Sequence, residues 1–178
     1  PARRRPAPCA DAAGRRPPAA RGPAGRADDD GGSAMCTGIR FSDDQGSVYL
    51  ARNLDWTSGY GQQVVVTPTG YAPRSPFGAV RAIEHAVIGM GIVEEDTPLY
   101  FDCGNDAGLA VAGLNFPGYA AYAPGPVDGA VNVAAFELPL WVCAQFASVD
   151  EVEAALADVV VVDRPFNEKC PTSVSSTQ

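Results

Sequence analysis

The sequence predicts an α+β domain in which helices cover the faces of β-sheets. Its middle part alternates short apolar, β-branched runs with turn clusters of Gly, Pro, Asn and Asp, a pattern typical of strands. Two stretches with helical character follow between residues 133 and 158, and one more β-branched run, Val159–Val162, comes after them. A block of strands followed by helices favours stacked layers of sheet and helix.

The first two predicted strands form a β-hairpin. They are Cys36–Phe41 and Ser47–Asn53, and the turn cluster SDDQG separates them. Residues near the two open ends of a hairpin lie side by side. We therefore expect Arg52 and Asp55 to lie near Cys36, although they are distant from it in sequence.

Four more strands and two helices are predicted downstream. The last of these strands delivers Asn115 at its end. The apolar stretch Val133–Phe146 predicts a helix with a kink, or a start, near Pro139. Ser148, with Glu151 three residues later, predicts a capping box at the start of the second helix. The four strands are Gln62–Pro68, Ala86–Glu94, Pro98–Cys103 and Leu109–Leu114.

Composition divides the chain into three parts. Residues 1–34 contain no aromatic residue and no Val, Ile, Leu or Met, so they bury too little apolar surface to offset their ordering entropy, and we expect a disordered leader. This leader is interpreted as coding sequence assigned too far upstream or as a fragment artefact, with a propeptide or a basic interaction arm as the alternative. Residues 35–169 carry the core patterns, and residues 170–178 form a tail without one.

The distribution of charge argues against nucleic acid as a partner. The 178 residues carry a formal net charge of −8. Seven arginines and four aspartates give residues 1–34 a charge of +3, so the remainder carries −11. Phosphate binding depends on clustered Lys and Arg, which this acidic body lacks. No apolar run approaches the roughly 18 residues of a membrane span, so no membrane segment is predicted.

The cysteine pattern argues against a bound metal. The five cysteines form no C-x-x-C pair, and the chain has one histidine, His85. A zinc site needs about four ligands at close spacing, so a structural metal is not expected. No cofactor is predicted. An odd, scattered count without a secretory signal predicts a reducing compartment, the cytoplasm. The cysteines are Cys9, Cys36, Cys103, Cys143 and Cys170.

Cys36 is the candidate nucleophile. A cysteine attacks as its thiolate, and a nearby cation favours that form. If Met35 is removed, the α-amine of Cys36 lies on the same residue as the thiol, and the reference pKa of such an amine, roughly 7.7–8.0, lets it act as a base near neutral pH. His85 lies in a charged, loop-like stretch and is interpreted as a surface residue, with a Cys36–His85 pair as the alternative.

Three further polar residues have both a structural and a catalytic interpretation. Arg52 is either a surface charge at a strand end or the cation that holds the thiol as thiolate. Asp55 is a turn residue, a partner of Arg52, or the group that orients the α-amine. Asn115 suits a turn, and it can equally donate a hydrogen bond to a developing oxyanion.

Five segments carry a resemblance to a known family: MCTGIRF (Met35–Phe41), LARNLDW (Leu50–Trp56), YFDC (Tyr100–Cys103), LAVAGLNFPGY (Leu109–Tyr119) and FELPLW (Phe136–Trp141). They resemble the choloylglycine hydrolases, the bacterial bile salt hydrolases that are related to penicillin V acylase. The resemblance is collinear from Met35 to about Lys169. Several separate motifs in the right order are far more specific than one short pattern.

The resemblance implies an αββα sandwich of the N-terminal nucleophile (Ntn) hydrolase type, and hydrolysis of the amide bond in glycine- or taurine-conjugated bile acids. Cys36 matches the family's nucleophile, which becomes the N-terminus when the initiator Met is removed. Arg52 and Asp55 match the residues that tune and orient it, and Asn115 matches the asparagine on the oxyanion side. The penicillin V acylase branch usually has a tyrosine at that last position, so Asn115 favours bile salts.

By the same resemblance, Leu54, Trp56 and Tyr60 line an apolar pocket for the steroid. The family uses no cofactor, and its full-length members tend to form homotetramers in the bacterial cytoplasm. One alternative is a penicillin V acylase-like or other N-acyl amide hydrolase. An alternative of another class is a non-catalytic remnant that binds bile acids.

Two features depart from the family pattern. Cys36 is internal in this sequence, so its nitrogen is an amide, and activity requires translation from Met35 or cleavage before Cys36. The resemblance fails after Lys169, where the family continues for roughly as many residues again. We therefore expect a C-terminally truncated sandwich and an inactive or unstable chain, because uncovered apolar faces oppose stable folding.

Overall fold

A computed structural model describes residues 36–54, 59, 61–114 and 120–167. The predicted leader 1–34 and tail 170–178 lie outside these ranges, as do Asp55, Trp56, Tyr60 and Asn115. Strands and helices both form, so the predicted α+β class is confirmed. The elements are β1 (Thr37–Ser42), β2 (Val48–Asn53), β3 (Gln63–Thr67), β4 (Val87–Glu94), β5 (Thr97–Asn105), β6 (Ala110–Ala112), β7 (Val131–Ala134), a 3₁₀ turn (Ala135–Glu137), α1 (Leu138–Gln145), α2 (Val149–Leu156) and β8 (Val159–Val162).

The predicted hairpin forms as β1 and β2. The two strands pair antiparallel from Ser42 and Val48 beside the turn to Thr37 and Asn53 at the open end. Asp43 orders the turn, because its carboxylate accepts hydrogen bonds from the backbone N–H groups of residues 45 and 47 at 3.0 and 2.8 Å. The hairpin therefore fixes which residues of β2 lie opposite the start of β1.

The central sheet is antiparallel, with the strand order β3-β4-β5-β6. Its longest pair, β4 and β5, is joined by the two-residue turn Glu95-Asp96, in which both residues have positive φ, 48° and 58°. Turns of this mirror-image type match the right-handed twist of the flanking strands. The sheet thus forms largely from contacts between neighbouring segments of the chain.

One face of the central sheet packs against α1, and the other is exposed. Along β3, Val65 is buried in the core that includes α1, whereas Val64 and Val66 are 65% and 63% exposed. The exposed face continues on β4 through Ile88 and Met90, which pair with Val66 and Val64. An apolar sheet face of this kind needs a second layer to remove it from water.

The prediction of a helix from Val133 is wrong. Residues 131–134 form β7, which pairs in parallel with β8, and Val133 is fully buried. The helix α1 begins only at Leu138, with Pro139 in its first turn, where a missing N–H costs nothing. The predicted start near Pro139 is therefore confirmed. An apolar run has no internal signal that separates a buried strand from a buried helix.

The predicted cap of the second helix is confirmed in altered form. The Ser148 hydroxyl accepts a hydrogen bond from the Glu151 N–H at 3.3 Å. The Glu151 carboxylate reaches back one residue further than expected, to the N–H of Ala147 at 2.7 Å. No helix in the described part of the chain is long and apolar enough to cross a membrane.

Candidate active site

The hairpin brings Arg52 to Cys36. Cys36 is half-buried and lies immediately before β1, and Arg52 pairs with Gly38 near the open end. The Nη2 atom of Arg52 lies 3.6 Å from the Cys36 sulfur. A guanidinium at this distance from a thiol can donate a hydrogen bond to it and favours its charged form.

Two more acceptors hold the Arg52 guanidinium. Nη2 also donates to the carbonyl oxygen of Gly113 at 2.7 Å, and Nη1 lies 3.3 Å from Oδ2 of Asp102. The side chain of Arg52 is only 7% exposed and that of Asp102 is 25% exposed. The Nε atom of Arg52 has no hydrogen-bond partner among the residues that the structure describes. Arg52 is thus a buried cation shared between a carboxylate, a carbonyl and a thiol, not a surface charge.

Sequence reasoning missed Asp102. It lies in the YFDC motif, as the one charged residue within the strand segment LYFDCG. A charged side chain inside an otherwise apolar strand was the available signal, because such a group needs a partner when it is half-buried. The identity of that partner was not readable, since residues 52 and 102 meet only through the tertiary fold.

The two other described thiols differ from Cys36. Cys103 on β5 and Cys143 on α1 are buried in the core between the sheet and the helix, and all three described cysteines are free. A side-chain hydrogen bond with Cys143, followed by burial, raises the pKa of Cys103. Cys103 therefore stays protonated and inaccessible. Among the described cysteines, Cys36 is the one that is partly exposed and lies beside a cation.

His85 pairs with Asp106, not with Cys36. Its Nδ1 atom lies 3.4 Å from Asp106 Oδ1, in a pair whose side chains are 30% and 56% exposed. The structure thus agrees with the interpretation of His85 as a surface residue. Within the described ranges, no group of three or more His, Cys, Asp and Glu side chains is arranged to hold a metal ion.

The other candidate residues lie at or beyond the edges of the described ranges. Leu54 follows β2 and is half-buried. Leu114 lies next to β1, where a Cβ on Gly38 would be 3.9 Å from its methyl carbons. The segment that leads into Asn115 therefore runs beside the strand that follows Cys36. The roles of Asp55, Trp56, Tyr60 and Asn115 stay predictions.

Comparison with known protein families gives a match over most of the chain. The family described as linear amide C–N hydrolases, choloylglycine hydrolase family, matches residues 36–174. A bile salt hydrolase/transferase of Bifidobacterium longum subsp. longum is 57% identical over 131 residues, which are 73% of this chain and 41% of that protein. A conjugated bile acid hydrolase of Lactobacillus acidophilus is 48% identical over 133 residues, 75% of this chain and 42% of that protein.

Solved structures show the same fold. A cysteine-to-alanine mutant of the conjugated bile acid hydrolase from Clostridium perfringens superposes with a TM-score of 0.71 at 31% identity, over 79% of this chain and 43% of that chain. An arginine-to-leucine variant of the same enzyme gives a TM-score of 0.72 at 31% identity, over 77% and 42%. The chain thus spans less than half the length of the curated relatives and solved structures that it matches.

Proposed function

We propose, because this chain belongs to the choloylglycine hydrolase family of linear amide C–N hydrolases, that Cys36 is the nucleophile in hydrolysis of the amide bond of bile acids conjugated with glycine or taurine. The 3.6 Å approach of Arg52 to the Cys36 sulfur carries the proposal. A guanidinium there favours the thiolate and, being permanently charged, does not itself act as a base. Relatives named bile salt hydrolase and conjugated bile acid hydrolase support the substrate class.

The proposed reaction is acyl transfer through a thioester. The thiolate of Cys36 attacks the amide carbonyl, and the C=O electron pair moves onto oxygen. Collapse of this intermediate breaks the C–N bond, and the leaving amine takes a proton from the α-ammonium group of Cys36. Water then gives a proton to the same α-amine and attacks the thioester, which releases the bile acid and regenerates the Cys36 thiolate and the α-ammonium group.

This chemistry requires an α-amine on Cys36. We therefore propose that the catalytic form begins at Cys36, without residues 1–35. His85 does not supply the base in its place, because it is paired with Asp106. A thiol nucleophile must also stay reduced, which suits a reducing compartment such as the bacterial cytoplasm.

The remaining roles follow from the match to the family motifs. Asp55 would orient the α-amine and stabilise it when charged, and Asn115 would donate a hydrogen bond to the oxyanion. Leu54, Trp56 and Tyr60 would line the apolar pocket for the steroid. The exposed apolar sheet face and the 41% coverage of the B. longum relative lead us to propose that the chain alone is inactive.

The test supplies the rest of the domain. The segment of the B. longum relative that follows the matched region is fused behind residue 167, and translation starts at Met35 so that Met removal exposes Cys36. We expect this fusion to release glycine or taurine from cholyl conjugates. A matched fusion that retains residues 1–35 should be inactive, and N-terminal sequencing verifies both starts.

Three outcomes would overturn the proposal. Preference of the fusion for phenoxyacetyl over cholyl amides would point to a penicillin V acylase-like enzyme. Cys36→Ala separates catalysis from binding: it should abolish release while leaving the affinity for cholate nearly unchanged. If release survives Cys36→Ala, Cys36 is not the nucleophile. If the unsubstituted fusion binds cholate and releases nothing, the chain belongs to a non-catalytic binding protein.

A further inference from the structure

We propose that Asp102 is a positioning residue that fixes the guanidinium of Arg52 against the thiol of Cys36; the inference rests on the proposed role of Cys36 as the nucleophile. Arg52 can swing about four side-chain bonds, so its position beside the thiol has to be imposed by other groups. The acceptors that impose it, among the described residues, are the Asp102 carboxylate on Nη1 and the Gly113 carbonyl on Nη2. With Nη1 tied to Asp102, the planar guanidinium turns Nη2 toward Cys36.

A β-bulge aims Asp102 at Arg52. In the pairing of β4 with β5, Met90 lies opposite Asp102 while Gly91 lies opposite Tyr100, so Phe101 has no partner on β4. An extra residue of this kind bends the strand and changes the direction of the neighbouring side chains. Asp102 is the residue directly after the bulge.

The bulge also connects the two acceptors of Arg52. The carbonyl oxygen of Phe101 accepts a hydrogen bond from the Gly113 N–H at 2.8 Å, and the Gly113 carbonyl accepts from Arg52 at 2.7 Å. A Cβ on Gly113 would be 2.9 Å from the Phe101 oxygen. The backbone that carries Asp102 and the backbone that carries the second acceptor are therefore held in close contact.

The loss of Asp102 should change the reactivity of Cys36 in opposite directions, depending on whether Asp102 positions Arg52 or acts only through its charge. A carboxylate near a thiol disfavours the thiolate, so removal of the charge alone would increase the reactivity of Cys36. Loss of the anchor for Nη1 instead frees the guanidinium to leave the thiol, which decreases that reactivity. The sign of the change in thiol reactivity thus separates the two roles.

The experiment measures alkylation of Cys36 in the full 178-residue chain. Iodoacetamide is applied across a range of pH, and mass spectrometry of the Cys36 peptide reports the rate without interference from other cysteines. We expect Asp102→Ala to slow alkylation near pH 7 by about three- to tenfold, because the rate follows the thiolate fraction. Asp102→Asn keeps an acceptor for Nη1 and should recover part of the rate. Asp106→Ala, which removes the exposed partner of His85, is the matched control and should leave the rate unchanged.

A double-mutant cycle tests whether Asp102 acts through Arg52. Asp102→Ala should no longer slow alkylation once Arg52→Ala is present; with the guanidinium gone, only the charge effect of Asp102 remains, and its removal leaves the rate unchanged or raises it. Equal slowing in both backgrounds would mean a general structural role and would overturn the proposal, as would alkylation of Asp102→Ala at or above the wild-type rate. Alkylation of Cys36 needs no turnover, so its outcomes are independent of the hydrolysis test. In the hydrolysis test, release that survives Cys36→Ala would overturn the proposed function and would leave the measured effect of Asp102 on the thiol unchanged.

Discussion

Gly89 lies so close to Asp102 on the neighbouring strand that a Cβ at Gly89 would be 2.1 Å from the Asp102 carbonyl oxygen. The same Cβ would be 2.6 Å from the Cα of Cys103. Both are backbone atoms, which cannot rotate away as a side chain could. Any side chain at position 89 must therefore push β5 away from β4, and with it the residue that anchors Arg52.

Gly89→Ala should destabilise the protein and reduce the reactivity of Cys36 together. We expect a loss of about 3 kcal/mol in the free energy of unfolding, at the upper end for overpacking a closely packed site. Denaturant unfolding measures the loss, and alkylation of Cys36 measures the displacement of Arg52. Gly125→Ala is the control, because a Cβ there has open space and should be nearly neutral. Equal stability of the two variants would show that the close approach has no energetic consequence.

Local signals in the sequence were sufficient for the hairpins. The turn cluster after Phe41 and the acidic turn at Glu95-Asp96 each lie between two predicted strands, and both turns form. The pairing of Arg52 with Gly38 follows from hairpin geometry alone. For this reason the proximity of residues 36 and 52 was predictable without any knowledge of the rest of the fold, whereas the placement of the guanidinium depends on Asp102 and Gly113.

Features that depend on distant segments were not predictable. The valines at residues 131 and 133 form a strand because β8, about 28 residues later, offers a parallel partner. Asp102 acquires its partner from a strand 50 residues earlier. Neither relationship leaves a local pattern, since a periodicity describes which face is buried and not what buries it.

Asn105 connects the central sheet to the end of α1, and Asn105→Asp should break that connection. Its amide nitrogen donates to the carbonyl oxygens of Cys143 and Phe146 at 2.8 and 2.7 Å. A carboxylate would place an acceptor against both carbonyls, at a cost of about 2–4 kcal/mol in the free energy of unfolding. Thermal or denaturant unfolding measures this loss.

Asn132→Asp is the matched control for that substitution. The Asn132 amide also donates to two carbonyls, of Val127 and Ala130, at 2.9 and 3.2 Å. The bond to Val127 lies at the surface, where water can replace it, so the loss of stability should be clearly smaller. A larger loss for Asn132→Asp would contradict the assignment of Asn105 as the connecting residue.

Glu137 gives the stability of the protein a specific pH dependence. The residue is 4% exposed, and burial raises the pKa of its carboxyl above the ordinary value of 4.5, although the Ala134 N–H donates to Oε1 at 2.9 Å. The folded state therefore binds this proton more tightly than the unfolded state. The resulting stabilisation is complete below pH 4.5 and is lost as the pH rises through the folded-state pKa.

Glu137→Gln should remove that dependence. Gln keeps an oxygen for the Ala134 N–H and stays neutral, so the stability of the variant relative to wild type should increase as the pH rises from about 4 to 8. Thermal unfolding at each pH measures the difference. Glu153→Gln, an exposed position on α2, serves as the control. A difference that is flat with pH, or that shrinks, would mean that Glu137 is not penalised by burial.

Arg52→Lys tests whether the shape of the guanidinium matters or only its charge. A guanidinium carries three donor nitrogens in one plane, and here Nη1 and Nη2 reach Asp102, Gly113 and Cys36 at once. A lysine has a single ammonium group without that planar fork and cannot occupy both positions. We expect a fall of about 100-fold in kcat/KM of the active fusion, mainly in kcat, because misplacement of a group near the reacting atoms affects the transition state most.

Arg74→Lys is the matched control: Arg74 pairs with Glu95 at 3.2 Å, with both side chains at least half exposed, and such pairs contribute little. Wild-type kinetics for Arg52→Lys would reduce the role of Arg52 to a positive charge and remove the need for the anchor at Asp102.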